Sequence, residues 1–558
     1  MRLTRRLLTL LVLCSTVVFL IRYRANVENT IIEKTFDAVA YAQAVEEEAA
    51  SKLAKFQLPQ VILPFGGGGS SSSSSDNDEN EQPSSSSSSS SSSNRPLRPL
   101  TTQKADDGSE ITGVGAFWAK WSKIIHEARP DVPKITLSGH AQTQNPSPGQ
   151  MTREPYHDHV RQSMAQLTPL QVAHRHFVER LEKEFGEDEQ PVATSNGSST
   201  PSTAYPRHWS GTDIFKGRGI VMVGGGEYFG PAIISLHMLR RTGSTLPVEV
   251  FVPNDDEYEE ELCTQYLDKL NAKCVVLSHI LDHSPLKTGA NDDADMKITH
   301  YQLKSLALLL SSFSDALLLD SDSIPLADPA TAIFNVEPYL SRGTIIWPDF
   351  WRATESPKFW TIAGRAASSA SSSSAGFPDF LPATSSEAGQ LAINKATHLA
   401  PLLLATYYNI FGPDHYYPLL SQGALGQGDK ETFLAATVSL NASYYRVKTP
   451  VASLGRWDGL AERTTAMVQH SAADDYRYLS GALSTSSSPP LRNTIKPLFL
   501  HSNTPKMNAG HLVDEGDLTA ATDHTTRLRL LGKKDALVKQ FGFDVEESLW
   551  DLLVQTGC

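Results

Sequence analysis

Ala316-Leu317-Leu318-Leu319-Asp320-Ser321-Asp322-Ser323 decides how the rest of the chain is read. An apolar run enters at Ala316 and stops abruptly on Asp320, Ser321 and Asp322. The three leucines show no polar alternation, which predicts a strand buried on both faces, as in a parallel α/β sheet. Two carboxylates one residue apart at the C-terminal end of such a strand stand at the edge where open α/β folds bind ligands. Hard oxygen ligands at that edge suit Mg²⁺ or Mn²⁺ carrying a diphosphate. The plainer alternative is a pair of turn or helix-capping aspartates ahead of Pro325. An EF-hand loop fits less well: counted from Asp320, its fifth position is Ile324 and its glycine position is Pro325.

Upstream, Leu303, Leu306, Ala307, Leu310 and Phe313 repeat at helical spacing and feed this strand. Earlier still, Gly219–Val223 reads as a buried strand ending in Gly224, Gly225 and Gly226. A helix follows over Pro231–Arg241, with a strand at Val248–Val252. Leu262, Tyr266, Leu267 and Leu270 mark another helix, and Cys274–Leu277 a third strand. Repeated β-α units joined by short links imply parallel strands and right-handed crossovers. The glycine cluster misses the dinucleotide fingerprint, because Phe229 stands where the third glycine belongs. Glycines in that turn still let backbone approach a phosphate or sugar; a plain tight turn is the other reading.

Downstream, Ile345–Trp347 predicts a further strand running into Trp347-Pro348-Asp349-Phe350-Trp351. Aromatic faces beside a carboxylate are how proteins grip sugar rings, although such aromatics also serve as core. Residues 366–376 form a Ser/Ala insertion. Ser386-Glu387-Ala388-Gly389-Gln390 is expected to open a helix, with Glu387 favouring its dipole. Gly426-Gln427-Gly428-Asp429-Lys430-Glu431-Thr432-Phe433 sets Asp429 near a helix start, as a cap or a hydroxyl-binding carboxylate. His501 follows the apolar run Pro497–Leu500. A histidine there is either structural or, if the strand returns to the edge holding Asp320 and Asp322, a further metal ligand.

The net charge of −13 argues against nucleic acid, whose phosphates need clustered Lys and Arg. Four cysteines are too few for a disulfide scaffold. Cys263 and Cys274 can form one bridge in an oxidising compartment or remain two buried thiols. At the amino end, Arg2, Arg5 and Arg6 precede the apolar run 7–21, and Arg22 and Arg24 follow it. No small-residue cleavage site follows, so an uncleaved signal anchor is expected: residues 1–6 cytosolic, 7–21 spanning, the body luminal. A short span suits a Golgi membrane. The Asn-x-Ser sequons at Asn196 and Asn441 agree with that side. Residues 22–112 read as a stem whose Gly/Ser tract cannot bury a core. Residues 113–210 read as a helical lead-in packed on a catalytic body at 211–558. Phe117, Trp118, Trp121, Ile124 and Ile125 carry its first helix; Val172, Phe177, Leu181 and Phe185 carry its second.

Taken in order, eight stretches carry a resemblance: Gly219–Gly226, Leu246–Val250, Tyr301–Lys304, Leu319–Asp322, Trp347–Trp351, Glu387–Gln390, Gly428–Phe433 and His501–Lys506. Together they resemble the fungal Golgi type II α-mannosyltransferases, which build α-1,2- and α-1,3-mannose linkages on mannan and glycoprotein outer chains. Gln427 stands where that family frequently has an acidic residue. The resemblance implies a GT-A-type fold, a Rossmann-like, mostly parallel α/β sheet with helices on both faces. It also implies GDP-mannose as donor, Mn²⁺ or Mg²⁺, retention of the donor's configuration, and a glycan acceptor on glycoprotein or mannan. Other Golgi transferases are conceivable partners.

A diphosphate leaves poorly unless its growing charge is neutralised, which a divalent cation does. Asp322 is expected to ligate the cation directly. Asp320 would hold it through water or bind the donor's ribose or sugar, and His501 would be a further ligand. Gly224, Gly225, Gly226, Lys304 and Lys506 would serve the donor. Trp347, Asp349, Glu387, Gln390 and Asp429 would line the sugar and acceptor side, with Asp429 beside Asp320 and Asp322 in the catalytic set. Rival readings are a transferase for another nucleotide sugar and a non-catalytic Ser-rich cell-surface glycoprotein.

Overall fold

The computed structural model describes residues 113–142, 158–185, 214–282, 301–365, 381–460, 462–480, 495–508 and 522–556, with 103–104, 110–111, 298, 512 and 518–519 as isolated pieces. The expected tail and anchor (1–21), most of the stem, Asn196 and the 366–376 insertion lie outside the described residues. Among the described residues no helix is long and apolar enough to cross a membrane.

Helices α1 (Gly113–Glu127) and α2 (Thr168–Phe185) precede the sheet. Phe117, Trp118, Trp121, Ile124 and Ile125 face inward on α1, as their spacing predicts. On α2 the buried stripe runs through Leu170, Phe177, Leu181 and Phe185, while Val172 is exposed.

The seven-stranded sheet takes its strands from scattered parts of the chain. They are β1 (Arg218–Val223), β2 (Val248–Val252), β3 (Ala272–Val276), β4 (Asp315–Leu319), β6 (Thr344–Arg352), β7 (Thr384–Asn394) and β8 (Tyr445–Arg446). The β5 strand, Ser323–Pro325, belongs to a second sheet. The order in the large sheet is β8-β6-β7-β4-β1-β2-β3. Strands β4, β1, β2 and β3 run parallel, and β7 runs antiparallel between β4 and β6.

Leu318 packs into one apolar layer with Val221, Phe251 and Leu391. Leu317 and Leu319 pack into the other with Ile220, Met222 and Trp347. All three leucines are at most 1 % exposed. Each fully buried leucine stabilises the fold by about 1.5–3 kcal/mol relative to leaving it in water. This two-sided burial is why the run lacks alternation.

Helix α3 (Phe229–Arg241) follows the glycine turn, and α4 (Gln302–Leu310) leads into β4. The expected helix around Leu262–Leu270 is a widened helical turn, Leu262–Tyr266, continued by Leu267–Lys269. Cys263 on that turn is bonded to Cys274 on β3. The long helix α5 (Lys395–Ile410) and the shorter α6 (Thr432–Ser439) cover the first layer.

One expectation fails outright. Ser386–Gln390 does not open a helix; it is the middle of β7, and the helix begins only at Lys395. Its polar start masks a strand: Ser385, Ser386 and Gln390 are buried because polar partners from other strands and loops surround them. Strand β6 likewise runs through Arg352 rather than ending at Trp347.

The second sheet is four-stranded and antiparallel. It comprises β5, β9 (Ala452–Trp457), β10 (Glu462–His470) and β11 (Pro497–His501), in the order β9-β10-β11-β5. Strand β5 begins one residue after Asp322, so Asp320-Ser321-Asp322 joins the two sheets.

Candidate functional site

Strand β4 ends at Leu319, and its partner in β7 there is Gln390. One step on, the Asp320 amide donates to the Gly389 carbonyl at 2.9 Å. Glu387 and Gly389 are thereby carried past Asp320 on the antiparallel neighbour. In the second sheet His501 lies opposite Ser323, and the Ser502 amide donates to the Asp322 carbonyl at 3.0 Å. Two sheets therefore converge on the Asp-Ser-Asp segment.

Ligand atoms of Asp320, Asp322 and His501 lie within 4.8 Å of one another. His501 Nε2 is 3.1 Å from Asp322 Oδ1, and Lys506 Nζ donates to Asp322 Oδ2. Lys304, from the first turn of α4, places its Nζ 2.7 Å from Asp320 Oδ2 and 3.9 Å from Asp429 Oδ2. The expected members Asp320, Asp322, His501, Lys304, Lys506, Asp429 and Glu387 are brought together.

The electrostatics separate the two aspartates. Burial pushes both carboxyls up, but the His501 and Lys506 charges reverse this for Asp322 and hold it well below the usual range. Asp320 stays above its ordinary value because burial outweighs Lys304. Burial opposes charge on His501 as well, yet Asp322 and Glu387 raise it well above the usual imidazole value. Asp429 is pushed up to about 6, chiefly by burial and against the pull of Lys304. Its Oδ2 makes no hydrogen bond.

Two carboxylates and an imidazole, convergent and with Asp322 and His501 buried, are a donor set that suits a divalent cation, with the nitrogen favouring Mn²⁺ over Mg²⁺. These residues fit the metal that the sequence implies.

Gly224–Gly226 closes β1, the parallel neighbour of β4, so the glycine turn shares an edge with Asp320. A side chain at Gly224 would strike Val250 Cγ1 at 2.6 Å, and Gly225 has φ 105°. The turn is built for bare backbone. The loop after His501 folds over it: Lys506 Nζ lies 5.6 Å from the Tyr228 ring centroid, and Asn508 Nδ2 donates to the Glu227 carbonyl at 3.1 Å.

Trp347 is a correction. It is fully buried, its ring packs edge-on against Phe499, and Nε1 donates to the His470 carbonyl at 2.8 Å. It ties sheet to sheet and has no face left for a sugar. Gln390 is also fully buried, accepting from Ser323 Oγ at 3.3 Å, which makes it a strut beneath the site. Asp349 pairs with Lys430 Nζ at 2.7 Å, a partner the sequence reading did not single out although it stands beside Asp429. Glu431, the next residue, accepts the Ser386 amide and is pushed up by burial to about 7. Its only sequence signal was a charged triplet after two glycines. Asn441 is exposed, at a turn with φ 52°.

Residues 217–474 match a family model described as "Mannosyltransferase putative". Among curated proteins, the chain is 36 % identical over 382 residues to α-1,2-mannosyltransferase MNN21 of Candida albicans, covering 61 % of this chain and 57 % of that one. It is 35 % identical over 399 residues to α-1,2-mannosyltransferase MNN2 of Saccharomyces cerevisiae, covering 62 % and 64 %. The chain thus spans less than two thirds of either relative. A crystal structure of the glycosyltransferase GlyE from Streptococcus pneumoniae aligns at 16 % identity with a TM-score of 0.24, over 42 % of this chain and 46 % of that one. Likeness that slight decides nothing about the fold. The sequence matches take in the strands that carry the acidic edge, and over them this chain is similar to proteins named α-1,2-mannosyltransferases.

Proposed function

We propose that this protein transfers mannose from GDP-mannose to a hydroxyl of a mannose-containing glycan with retention, forming an α-1,2 linkage in preference to α-1,3. The observation that carries the reading is the convergence of Asp320, Asp322 and His501 at a sheet edge beside the Gly224–Gly226 turn, with Lys304 and Lys506 next to them. The α-1,2 preference is supported by the two relatives, both named α-1,2-mannosyltransferases.

Asp322 and His501 would hold Mn²⁺ directly, with Asp320 as the third donor. When bound, the cation supplies Lewis-acid neutralisation of the departing diphosphate. Lys506 and Lys304 add positive charge on either side, and each can leave its aspartate for a phosphate oxygen. The bare turn at Gly224–Gly226 lets the donor approach backbone amides. Asp429, buried and with an oxygen that makes no hydrogen bond, is placed to meet the donor sugar or the incoming hydroxyl. Asp349 and Lys430 would form the acceptor side, held there by each other.

The mixed sheet, with β7 antiparallel beside β4, supports a GT-A-type arrangement for the body. The Cys263–Cys274 bond supports an oxidising compartment and hence a Golgi-luminal body behind the anchor at 7–21. The deciding experiment incubates the full chain in detergent with GDP-mannose, Mn²⁺ and a panel of mannosides, and reads the product linkage by NMR. An α-1,2-linked product with GDP-mannose alone among nucleotide sugars is expected. Turnover with a different donor overturns the reading.

A further inference from the structure

His501 is the group in this site whose placement needs most explanation. It comes from the end of β11, in the second sheet, and its ring must present Nε2 to the acidic edge of the first. A side chain can turn, and an imidazole has two nitrogens and two tautomers; a metal ligand needs one of each.

Two features of β7 remove that freedom. Gly389 has no side chain where the ring lies: a Cβ there would stand 2.6 Å from His501 Nδ1 and 2.8 Å from Cε1. The imidazole edge therefore rests on bare backbone. Beside it, Glu387 Oε1 accepts the Gly389 amide at 2.7 Å and stands 3.4 Å from His501 Nδ1. That second contact lies off the line of a good hydrogen bond, as unliganded sites frequently show before they tighten. The carboxylate thus faces the Nδ1 edge of the ring.

We propose that Glu387 is a positioning residue, anchored by the Gly389 amide, that holds the proton on His501 Nδ1 and so aims Nε2 at the cation. The proposal rests on the metal reading of the preceding section and gives Glu387 a different task from the sugar contact its sequence position suggests. Such partners of ligating histidines commonly change metal affinity 10–100-fold when removed.

The test is Mn²⁺ binding by electron paramagnetic resonance on the full chain without nucleotide or sugar, with melting temperature measured alongside. Glu387→Gln keeps size and the amide contact but lacks the charge that holds the proton; Mn²⁺ affinity is expected to fall about 10-fold or more. Gly389→Ala, which displaces the ring, should fall likewise, and Glu387→Asp should lie between. The acceptor KM of Glu387→Gln at saturating Mn²⁺ should match the wild type. Wild-type Mn²⁺ affinity in Glu387→Gln, with Asp322→Asn losing it, overturns the proposal and leaves the metal site standing. A wild-type chain that binds no Mn²⁺ overturns both. Should Glu387→Gln fail to fold, Glu387→Asp decides by the same affinity measurement.

Discussion

His501 Nε2 stands 3.1 Å from Asp322 Oδ1, although 179 positions separate the two residues. Nothing local brings them together. Strand β11 must pair with β5 for the contact to exist, and β5 is the three residues that follow the Asp-Ser-Asp segment.

Asp322→Asn tests what that contact serves. The amide keeps the volume but removes the charge that His501 and Lys506 face. Turnover should drop at least about 100-fold, the scale of losing one preorganised electrostatic contact at a developing charge. Mn²⁺ affinity should drop with it while the far-ultraviolet circular dichroism stays unchanged. Wild-type turnover would remove Asp322 from the machinery.

Trp347→Phe separates core from site. The substitution deletes the donor to the His470 carbonyl and leaves a small void against Phe499. Stability should fall by about 2 kcal/mol in urea unfolding. KM for mannosides should not change. A raised KM at unchanged stability would return Trp347 to the sugar.

The pH dependence of folding should report Glu431. Its folded value, about 7, lies above the ordinary carboxyl value of 4.5. Raised by burial, the group contributes stability that is whole below pH 4.5 and is lost as pH climbs through 7. The loss by pH 8 is on the order of 3 kcal/mol. Asp429, at about 6, titrates in the same window and adds to it. Glu431→Gln keeps an oxygen for the Ser386 amide and should flatten the thermal-unfolding profile between pH 5 and 8, without abolishing the slope. Superimposable profiles for variant and wild type would contradict this.

Removing the Cys263–Cys274 bond by Cys263→Ser with Cys274→Ser should cost about 3 kcal/mol, the chain-entropy value for a loop this short; the two residues are 11 apart in sequence. Urea midpoints measure the cost, and peptide mapping without reductant checks the pairing. Free thiols at both positions in the native protein would refute the bond.

What the sequence made legible follows from how local each signal is. The strands β1, β2 and β4 are short apolar runs bounded by glycine, proline and acid in turn, and Leu317–Leu319 announces two-sided burial by its lack of alternation. Asp320 and Asp322 were recognisable because their edge position follows from that strand. Strand β7 was not. Its Ser386-Glu387-Ala388-Gly389 stretch looks like a helix N-terminus, and only neighbours on both sides make a strand of it. Trp347 and Lys430 show the same limit. An aromatic beside a carboxylate reads alike in a sugar site and in a core, and the partners that decide it, Phe499 and Asp349, lie far along the chain.

Asp320 hangs from the last turn of one pleated layer, while Asp322 leads into the first residue of another. The gap between the two carboxylates is thus a gauge of how the layers dock. A cation held by both, as proposed above, would have its affinity set by that docking, in which Trp347 and Phe499 also take part.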